Sequence, residues 1–547
     1  MITDELSELV GTALKSAATD GLIEDRPAWD VAFERPRRRE HGDWATNIAL
    51  SAAAGRGNPR ELAQSLVERL PDSDLVASVD VAGPGFMNFH LSPQWLHDVV
   101  RRAGDPQSDF GRRPPTGTKI NVEYVSANPT GPINVVSGRH AAVGDAIAAM
   151  LEAAGYEVER EFYINDAGRQ IRLFAESVGA RYLQALGIDA PFPEEGYLGD
   201  YVTDLAREIA EDKGDRYKEL SREELTDVMF DQAVAEMLQR MKTTLARFGT
   251  QQTVWSSERA LHESGRAAKT LDDLRDRGVT EEREGALWFL SSKFGDDKDR
   301  VLIRSNGEST YLGSDAAYLV DKFERGFDHL LYLWGADHHG TVARLQAVAE
   351  ALDYGRERVE IRLMQKVSLS GVTASKRQGV YVSLDELIDE VGKDAARYFF
   401  LTRSIDAPLD FNIELAKEQA PENPVYYVQY AHARISSILR KASEEGATTD
   451  VAKTPLTPLT HPSEDQLMRK IAAYEEVVPE AAELRAPQRI TRYVEELAAN
   501  FSAFYRDCRV VSDDEDLTAA RLALCLATRR VIAEGLGLLG VAAPERM

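Results

Sequence analysis

Three short stretches carry side chains whose types and spacing suit chemistry on phosphates and on a cation. The first is the turn Ser126-Ala127-Asn128-Pro129-Thr130-Gly131-Pro132 with the segment Asn134–Gly144 behind it. A strand, a Gly/Pro turn and a helix start together offer free backbone N–H groups to phosphate. An ordinary strand-to-helix connection has the same look, and the spacing of Gly131, Gly138 and Gly144 matches neither a P-loop nor a dinucleotide fingerprint. The second is Ser370–Gly379, a small-residue loop ending in the adjacent cations Lys376 and Arg377. Such a loop can fold over a polyphosphate and stabilise charge as it builds, or be a solvated basic turn. The third is the strand-like run Tyr311-Leu312-Gly313-Ser314-Asp315 taken with Glu123. Two carboxylates converging on a planar guanidinium can pair with it bidentately, which a compact ammonium cannot copy.

These stretches need a scaffold. INVEYV after Lys119 reads as a strand; Val143, Ile147, Met150 and Leu151 recur at helical spacing; Glu157–Ile164 reads as a second strand. This βαβ pattern predicts a parallel sheet with helices on its faces. Leu330–Leu333 before GADHHG is a further apolar run. Residues 188–250 are charged and helix-rich, as an insertion would be. Ahead of this block, residues 1–105 mix amphipathic helices (Leu6–Ala17, Pro59–Leu70) with strands (Leu75–Val81, Gly85–Leu91), and Gly104–Gly117 reads as a linker. From Leu415 onward the pattern is helical apart from Gly446–Ser463, predicting a helical bundle. The expected domains are therefore 1–105 (α+β), 118–414 (α/β, nucleotide-binding) and 415–547 (all-α).

The chain has 547 residues, 43% of them apolar and 28% charged, with a net charge of −25. This is the profile of a soluble, multidomain protein. The acidic total says little about nucleic acid, because phosphate binding needs only local basic surface. Two cysteines, Cys508 and Cys525, and the lack of CxxC or HExxH predict buried thiols and no zinc site. The polar first 22 residues are no secretion signal, no run approaches membrane-spanning length, and a cytoplasmic location is expected.

In order along the chain, VEYVSANPTGP, AAVGDAIAAMLEAAGYEVEREFYINDAG, PEEGYLGDYV, YLGSDAAYLVDKFERGFDHLLYLWGADHHG and SKRQGVYVSLDELIDEVGKDAARYFFLTRS resemble the arginyl-tRNA synthetase family. HGDWATNIAL and NPRELA are similar to its N-terminal tRNA-binding domain, and NPVYYVQYAHARISSILR through GLGLLGVAAPERM to its helical anticodon-binding domain. The resemblance implies a class I catalytic domain that activates L-arginine with ATP and transfers it to tRNA(Arg). It implies that Glu123, Tyr311 and Asp315 hold the guanidinium and Asn128 the α-amino or carboxylate end. Gly131 and Pro132 would then lie against ATP, Asp337 and His338 on its adenosine side, and Ser375 and Lys376 at the third and fourth places of the KMSKS loop. Magnesium would arrive with ATP, and a monomer is implied.

Two departures stand out. Where the family has His-X-Gly-His, this chain has Asn134-Val135-Val136-Ser137, which can donate hydrogen bonds only neutrally. His140, one turn further, reads as a surface helix residue. In the KMSKS loop Thr373 and Ala374 replace lysine and methionine, while Lys376 survives beside Arg377. The expected phosphate-stabilising set is thus Lys376, Ser375, Arg377, Asn134 and Ser137. An alternative is a synthetase-like protein that binds tRNA or arginine without catalysis. A synthetase for an apolar amino acid is disfavoured, since its pocket would not keep Glu123 and Asp315 buried and unpaired. Contacts to tRNA are expected from Arg35, Arg37, Arg38 and Arg39 and from His432, Arg434, Arg440 and Lys441. Tyr426, Tyr427 and Tyr430 would either stack on anticodon bases or lie in the core.

Overall fold

The βαβ pattern that begins at Lys119 forms the centre of a five-stranded parallel sheet in the computed structural model, which describes residues 2–36, 38–53, 57–370 and 382–547. By packing, the chain divides into two compact units. One joins Met1–Gly111 with Arg434–Glu476 and Glu496–Val531; the other joins Arg112–Ala433 with Val477–Glu495 and Ile532–Met547.

In the first unit, α1 (Ile2–Thr19), β1 (Trp44–Thr46), α2 (Ile48–Ala53), α3 (Pro59–Val67), β2 (Val76–Ala82), β3 (Phe86–Leu91) and α4 (Pro93–Gly104) follow in order. The strands form an antiparallel sheet in the order β1-β3-β2. Helix α3 starts as its sequence asks: Asn58 caps it by accepting from the Arg60 N–H, and Pro59 needs no intrahelical donor. The helix Pro462–Ala472 belongs to the same unit, and its Arg469 pairs with Asp43.

The second unit carries β4 (Lys119–Glu123), α5 (Val135–Ala153), β5 (Glu157–Ile164), α6 (Arg169–Ala185), α7 (Asp200–Lys213), α8 (Arg222–Phe248), β6 (Val254–Ser257), α9 (Glu258–Glu263) and α10 (Arg266–Asp276). A small antiparallel sheet follows, β7 (Thr280–Arg283), β8 (Ala286–Phe289) and β9 (Arg300–Ile303), then α11 (Tyr311–Glu324), β10 (His329–Gly335), α12 (His339–Ala351) and β11 (Val359–Met364). A last parallel pair is β12 (Val367–Ser370) and β13 (Leu409–Asn412). The main sheet runs β11-β10-β4-β5-β6, so the chain reverses its direction of travel between β4 and β10. The charged insertion is helical. Its long helix α8 opens on a Ser221–Glu224 capping box and closes at Gly249 in the left-handed region.

One expectation fails here. Tyr311–Asp315 is no strand but the first turn of α11. A five-residue window cannot separate the two periods. Over the longer run the buried Leu312, Ala316, Leu319, Val320 and Phe323 follow a helical repeat, and that packing decides the matter. Beyond Leu415 the elements are helices: Pro424–Glu444, Pro462–Ala472, Tyr474–Glu483, Gln488–Asp507 and Glu515–Leu538 are the long ones. The architecture is multidomain α/β with an α+β start and an all-α end.

Candidate active site

In an open parallel sheet the crevice at the switch point, outside the carboxyl ends of the strands, is where ligands bind. Most of the residues singled out in the catalytic block gather at that edge. Glu123 ends β4 and is 3% exposed. The backbone then turns through two left-handed residues, Val125 (φ 73°) and Ser126 (φ 40°). A β-branched residue there is strained, and such strain persists only where surrounding bonds hold it. Ser126 supplies them: its Oγ donates to Glu123 Oε1 at 2.9 Å and accepts from the Tyr163 N–H at 3.1 Å.

Beyond the turn Asn128 is exposed and forms an amide chain: it accepts from Asn165 Nδ2 at 3.0 Å and donates to Gln170 at 2.7 Å. Asn165 follows β5, so two strand ends are linked. Tyr201, at the start of α7, donates to the Thr130 carbonyl at 2.8 Å and lies against Gly131. Asn134 caps α5; its Oδ1 accepts from the Ser137 N–H at 2.8 Å, leaving the amide NH2 as a donor. The same segment is laced to the chain that follows the small-residue loop, with Leu384 N–H donating to the Ile133 carbonyl at 2.8 Å and Val135 N–H to that of Val382 at 3.3 Å. Ser375, Lys376 and Arg377 lie outside the described residues.

His140 corrects an expectation. It is no surface residue: α5 is buried on nearly all sides, and His140 is 7% exposed with Nδ1 3.3 Å from the Leu333 carbonyl. Burial pushes its pKa down to about 4, so the ring is neutral. Asp337 and His338, by contrast, stand exposed just past β10, 3.7 Å apart.

The carboxylates are arranged differently from the expected unpaired couple. Glu123 Oε2 accepts from Lys322 Nζ at 2.6 Å, and both side chains are nearly inaccessible, so Glu123 already has a cation. Asp315, on α11, is accompanied instead by Glu258 at the start of α9. Desolvation, then the charges of Glu123 and Glu258, push the Asp315 carboxyl up to about 7, against the opposing pull of Lys322. Burial also raises Glu258, whose partner is the Ser314 hydroxyl; that hydroxyl in turn lies 3.1 Å from His262 Nε2. Among the described residues neither Asp315 nor Glu258 forms an ion pair, although Lys322 acts on Asp315 and His262 on Glu258 from farther off. Tyr311, four residues before Asp315 on the same helix face, is 79% exposed at the mouth. Sequence reasoning missed Glu258, Lys322, Asn165 and Gln170. Nothing around Glu258 marks it, for SSERAL is an ordinary helix start.

Of the basic and aromatic candidates, Arg37 lies outside the described residues. Arg38 pairs with Glu40 at 3.3 Å, and Arg35 donates to Glu476 while its guanidinium lies 4.5 Å from the Trp44 ring. Tyr426 and Tyr430 stack at 6.1 Å, with Tyr430 40% exposed. The Arg434 guanidinium sits 5.5 Å from the Tyr505 ring. Tyr427 follows Tyr426 on the same helix. His432 is buried, with Nδ1 2.8 Å from the Pro544 carbonyl.

A parallel sheet with its switch-point crevice, a strand-turn-helix connection at its edge and a cluster of carboxylates beside it fit a class I aminoacyl-tRNA synthetase catalytic fold. The Mycobacterium tuberculosis methionyl-tRNA synthetase shares that fold over 76% of this chain and 90% of its own, with a TM-score of 0.54 at 12% identity. Residues 107–401 match the model described as tRNA synthetases class I (R), catalytic domain; residues 4–91 match arginyl tRNA synthetase N terminal domain, and 428–547 DALR anticodon binding domain. The arginine–tRNA ligases of Carboxydothermus hydrogenoformans and Heliobacterium modesticaldum are each 46% identical, covering 99% and 100% of this chain and 98% and 99% of their own. The Thermus thermophilus arginyl-tRNA synthetase structure covers all of both chains at a TM-score of 0.76 and 26% identity. The chain belongs to the arginyl-tRNA synthetase family.

Proposed function

We propose that the chain is an arginine–tRNA ligase, which activates L-arginine with ATP to arginyl-adenylate and transfers it to the 3′ end of tRNA(Arg). One observation carries this reading: Asp315 and Glu258, two neighbouring carboxylates without an ion-pair partner among the described residues, stand beside the switch-point crevice. A guanidinium satisfies both at once, and a neutral side chain would leave them desolvated and unpaired. On this reading Asp315 and Glu258 take the guanidinium and Tyr311 closes over it. The Asn128–Asn165–Gln170 chain holds the α-amino and carboxylate end, while Glu123 is engaged by Lys322 and Ser126.

The arginine carboxylate attacks the α-phosphorus of ATP and pyrophosphate leaves; then the terminal ribose hydroxyl of tRNA attacks the activated carbonyl and AMP leaves. Neither step needs a protein nucleophile, so positioning and charge stabilisation do the work. Gly131, Pro132, Asn134 and Ser137 line the phosphates from the α5 side; Lys376, with Ser375 and Arg377, covers them from the other. Asp337 and His338 flank the adenosine. Magnesium enters as part of the ATP substrate and neutralises its phosphates. Asn134 keeps its amide NH2 as a donor while its oxygen caps the helix, which favours catalysis over a binding-only role.

Residues 1–105, with Arg37 and Arg38, and residues 415–547, with Tyr427, Tyr430 and Arg434, are the tRNA-binding modules flanking a catalytic module at 118–414. The protein acts as a cytoplasmic monomer. The test is charging of matched tRNA with labelled arginine by the unmodified protein and by Lys376→Ala. Charging that the substitution abolishes is the expected result; no charging with tRNA binding intact would leave a binding protein.

A further inference from the structure

Below the two carboxylates lies a cation that no substrate brings. Lys322 is wholly inaccessible, its Nζ donates to Glu123 Oε2 at 2.6 Å, and it lies 4.2 and 4.0 Å from the ring centres of Tyr318 and Tyr332. A lysine so deeply buried is rare unless paired, and here it has the Glu123 carboxylate, two aromatic faces and the nearby charge of Glu161, which is itself paired with Arg325. Tyr311, Asp315, Tyr318 and Lys322 recur at i, i+4, i+7 and i+11 on α11. One stripe of the helix therefore descends from the exposed mouth to this ammonium. Asp315 lies within electrostatic reach of Lys322, Glu123 and Glu258.

Stability alone does not account for the pair. Replacing a buried ion pair by apolar groups of similar volume is often neutral or stabilising, so the pair adds little to folding. Its neighbourhood suggests another purpose. Lys322 occupies Glu123 Oε2 and offsets part of its charge, so the carboxylates of the pocket left without an ion-pair partner are Asp315 and Glu258. We propose that Lys322 is a specificity-determining residue: a resident ammonium that engages Glu123, confines the guanidinium to Asp315 and Glu258, and repels a cation entering deeper. A fixed like charge is an effective way to refuse a wrong register.

This rests on the arginine-activating function proposed above, so arginine is compared with citrulline, its neutral isostere with the same backbone groups. Glu123→Gln removes the carboxylate that Lys322 donates to and leaves only Glu161, already paired with Arg325, to offset its charge. The expected result in tRNA-dependent pyrophosphate exchange is an arginine KM raised roughly a hundredfold, with the citrulline inhibition constant moved less than about threefold. Adding Lys322→Met should return the arginine KM to within about tenfold of the unmodified protein. Arginine and citrulline weakening together, or a double variant no better than the single, would overturn the proposal and leave Lys322 a packing residue. Should the single variant not fold, calorimetric affinities of the double variant decide. An arginine-to-citrulline ratio within about tenfold of the unmodified protein supports the proposal, and a collapsed ratio means that Glu123 itself binds the guanidinium. Calorimetry needs no catalysis, so an unmodified protein that fails to charge tRNA would strike the proposed function and not this test.

Discussion

Charge at the residue scale is set by what each carboxylate faces. Asp315 has Glu123 and Glu258 as like charges and Lys322 as the opposing one, and its carboxyl titrates at about 7. A guanidinium requires the ionised form, so binding releases a proton wherever Asp315 is still protonated. The kcat/KM for arginine should therefore fall about tenfold per unit as pH drops below 7, with the KM for ATP unaffected. Asp315→Asn should abolish both the limb and most arginine activation; a limb that survives it belongs to another group. His140 carries the opposite sign. Its folded pKa of about 4 lies below the ordinary 6.5, so the unfolded chain binds the extra proton between those values. Stability is fully present above 6.5 and is lost as pH falls, by up to ~3 kcal/mol below 4. Denaturant melts of His140→Asn against the unmodified protein at pH 5 and pH 8 check this: the gap between them should shrink at the lower pH.

Elements decided how much of this was legible. The strand Glu157–Ile164, half of whose residues are charged, was legible as the second strand of a βαβ pattern, and its bounds are those found. The helix after Pro132 was legible too, though its depth was not. His140 has no mark in sequence of the Leu333 carbonyl it faces, and four residues of α5 cannot tell one buried side from burial on all sides. The segment at Tyr311 was misread because a single turn of helix lacks a period. Glu258 and Lys322 were illegible for a different reason: their meaning comes from strands and helices distant in sequence. Gly144 was singled out by spacing, and packing supplies its cause. A Cβ there would fall 2.2 Å from Cγ of Tyr124, whose buried ring follows β4 directly. Ring and backbone meet where helix crosses strand, and neither has room to yield. Gly144→Ala should destabilise the chain by about 1–3 kcal/mol through overpacking, and by displacing the start of α5 raise the KM for ATP. The truncating partner Tyr124→Leu should relieve part of the loss. If thermal melts show Gly144→Ala unchanged, the close approach is not real.

The whole molecule must carry one acidic chain with 65 basic and 90 acidic residues, and its core spends few charges. One of them is Arg397, wholly buried in the second unit. Its guanidinium donates to the Leu539 carbonyl at 3.0 Å, the Phe248 carbonyl at 3.3 Å and Asp145 Oδ2 at 2.6 Å. Those partners are the last turn of the insertion helix α8, the middle of α5 and the chain's final segment. One side chain thus ties together within that unit three parts separated by hundreds of residues. Gly540 makes the approach possible: at φ +66° it has no side chain, and a Cβ would lie 2.2 Å from the guanidinium. Arg397→Met fills the volume but leaves two carbonyls and Asp145 without their donor. Asp145 retains Arg160 at 3.5 Å, so the cost should sit near the lower end of the ~3–5 kcal/mol expected for breaking a buried pair. The chain has more than one unit, so for a residue that ties segments within one of them local release is a sharper observable than global unfolding. Arg397→Met should make residues 536–547 susceptible to carboxypeptidase under conditions where the unmodified protein resists, and should lower arginine activation through α5 while tRNA binding persists. Release of the tail without loss of activation would mean that Arg397 anchors the C-terminus alone and that α5 holds its place through the sheet.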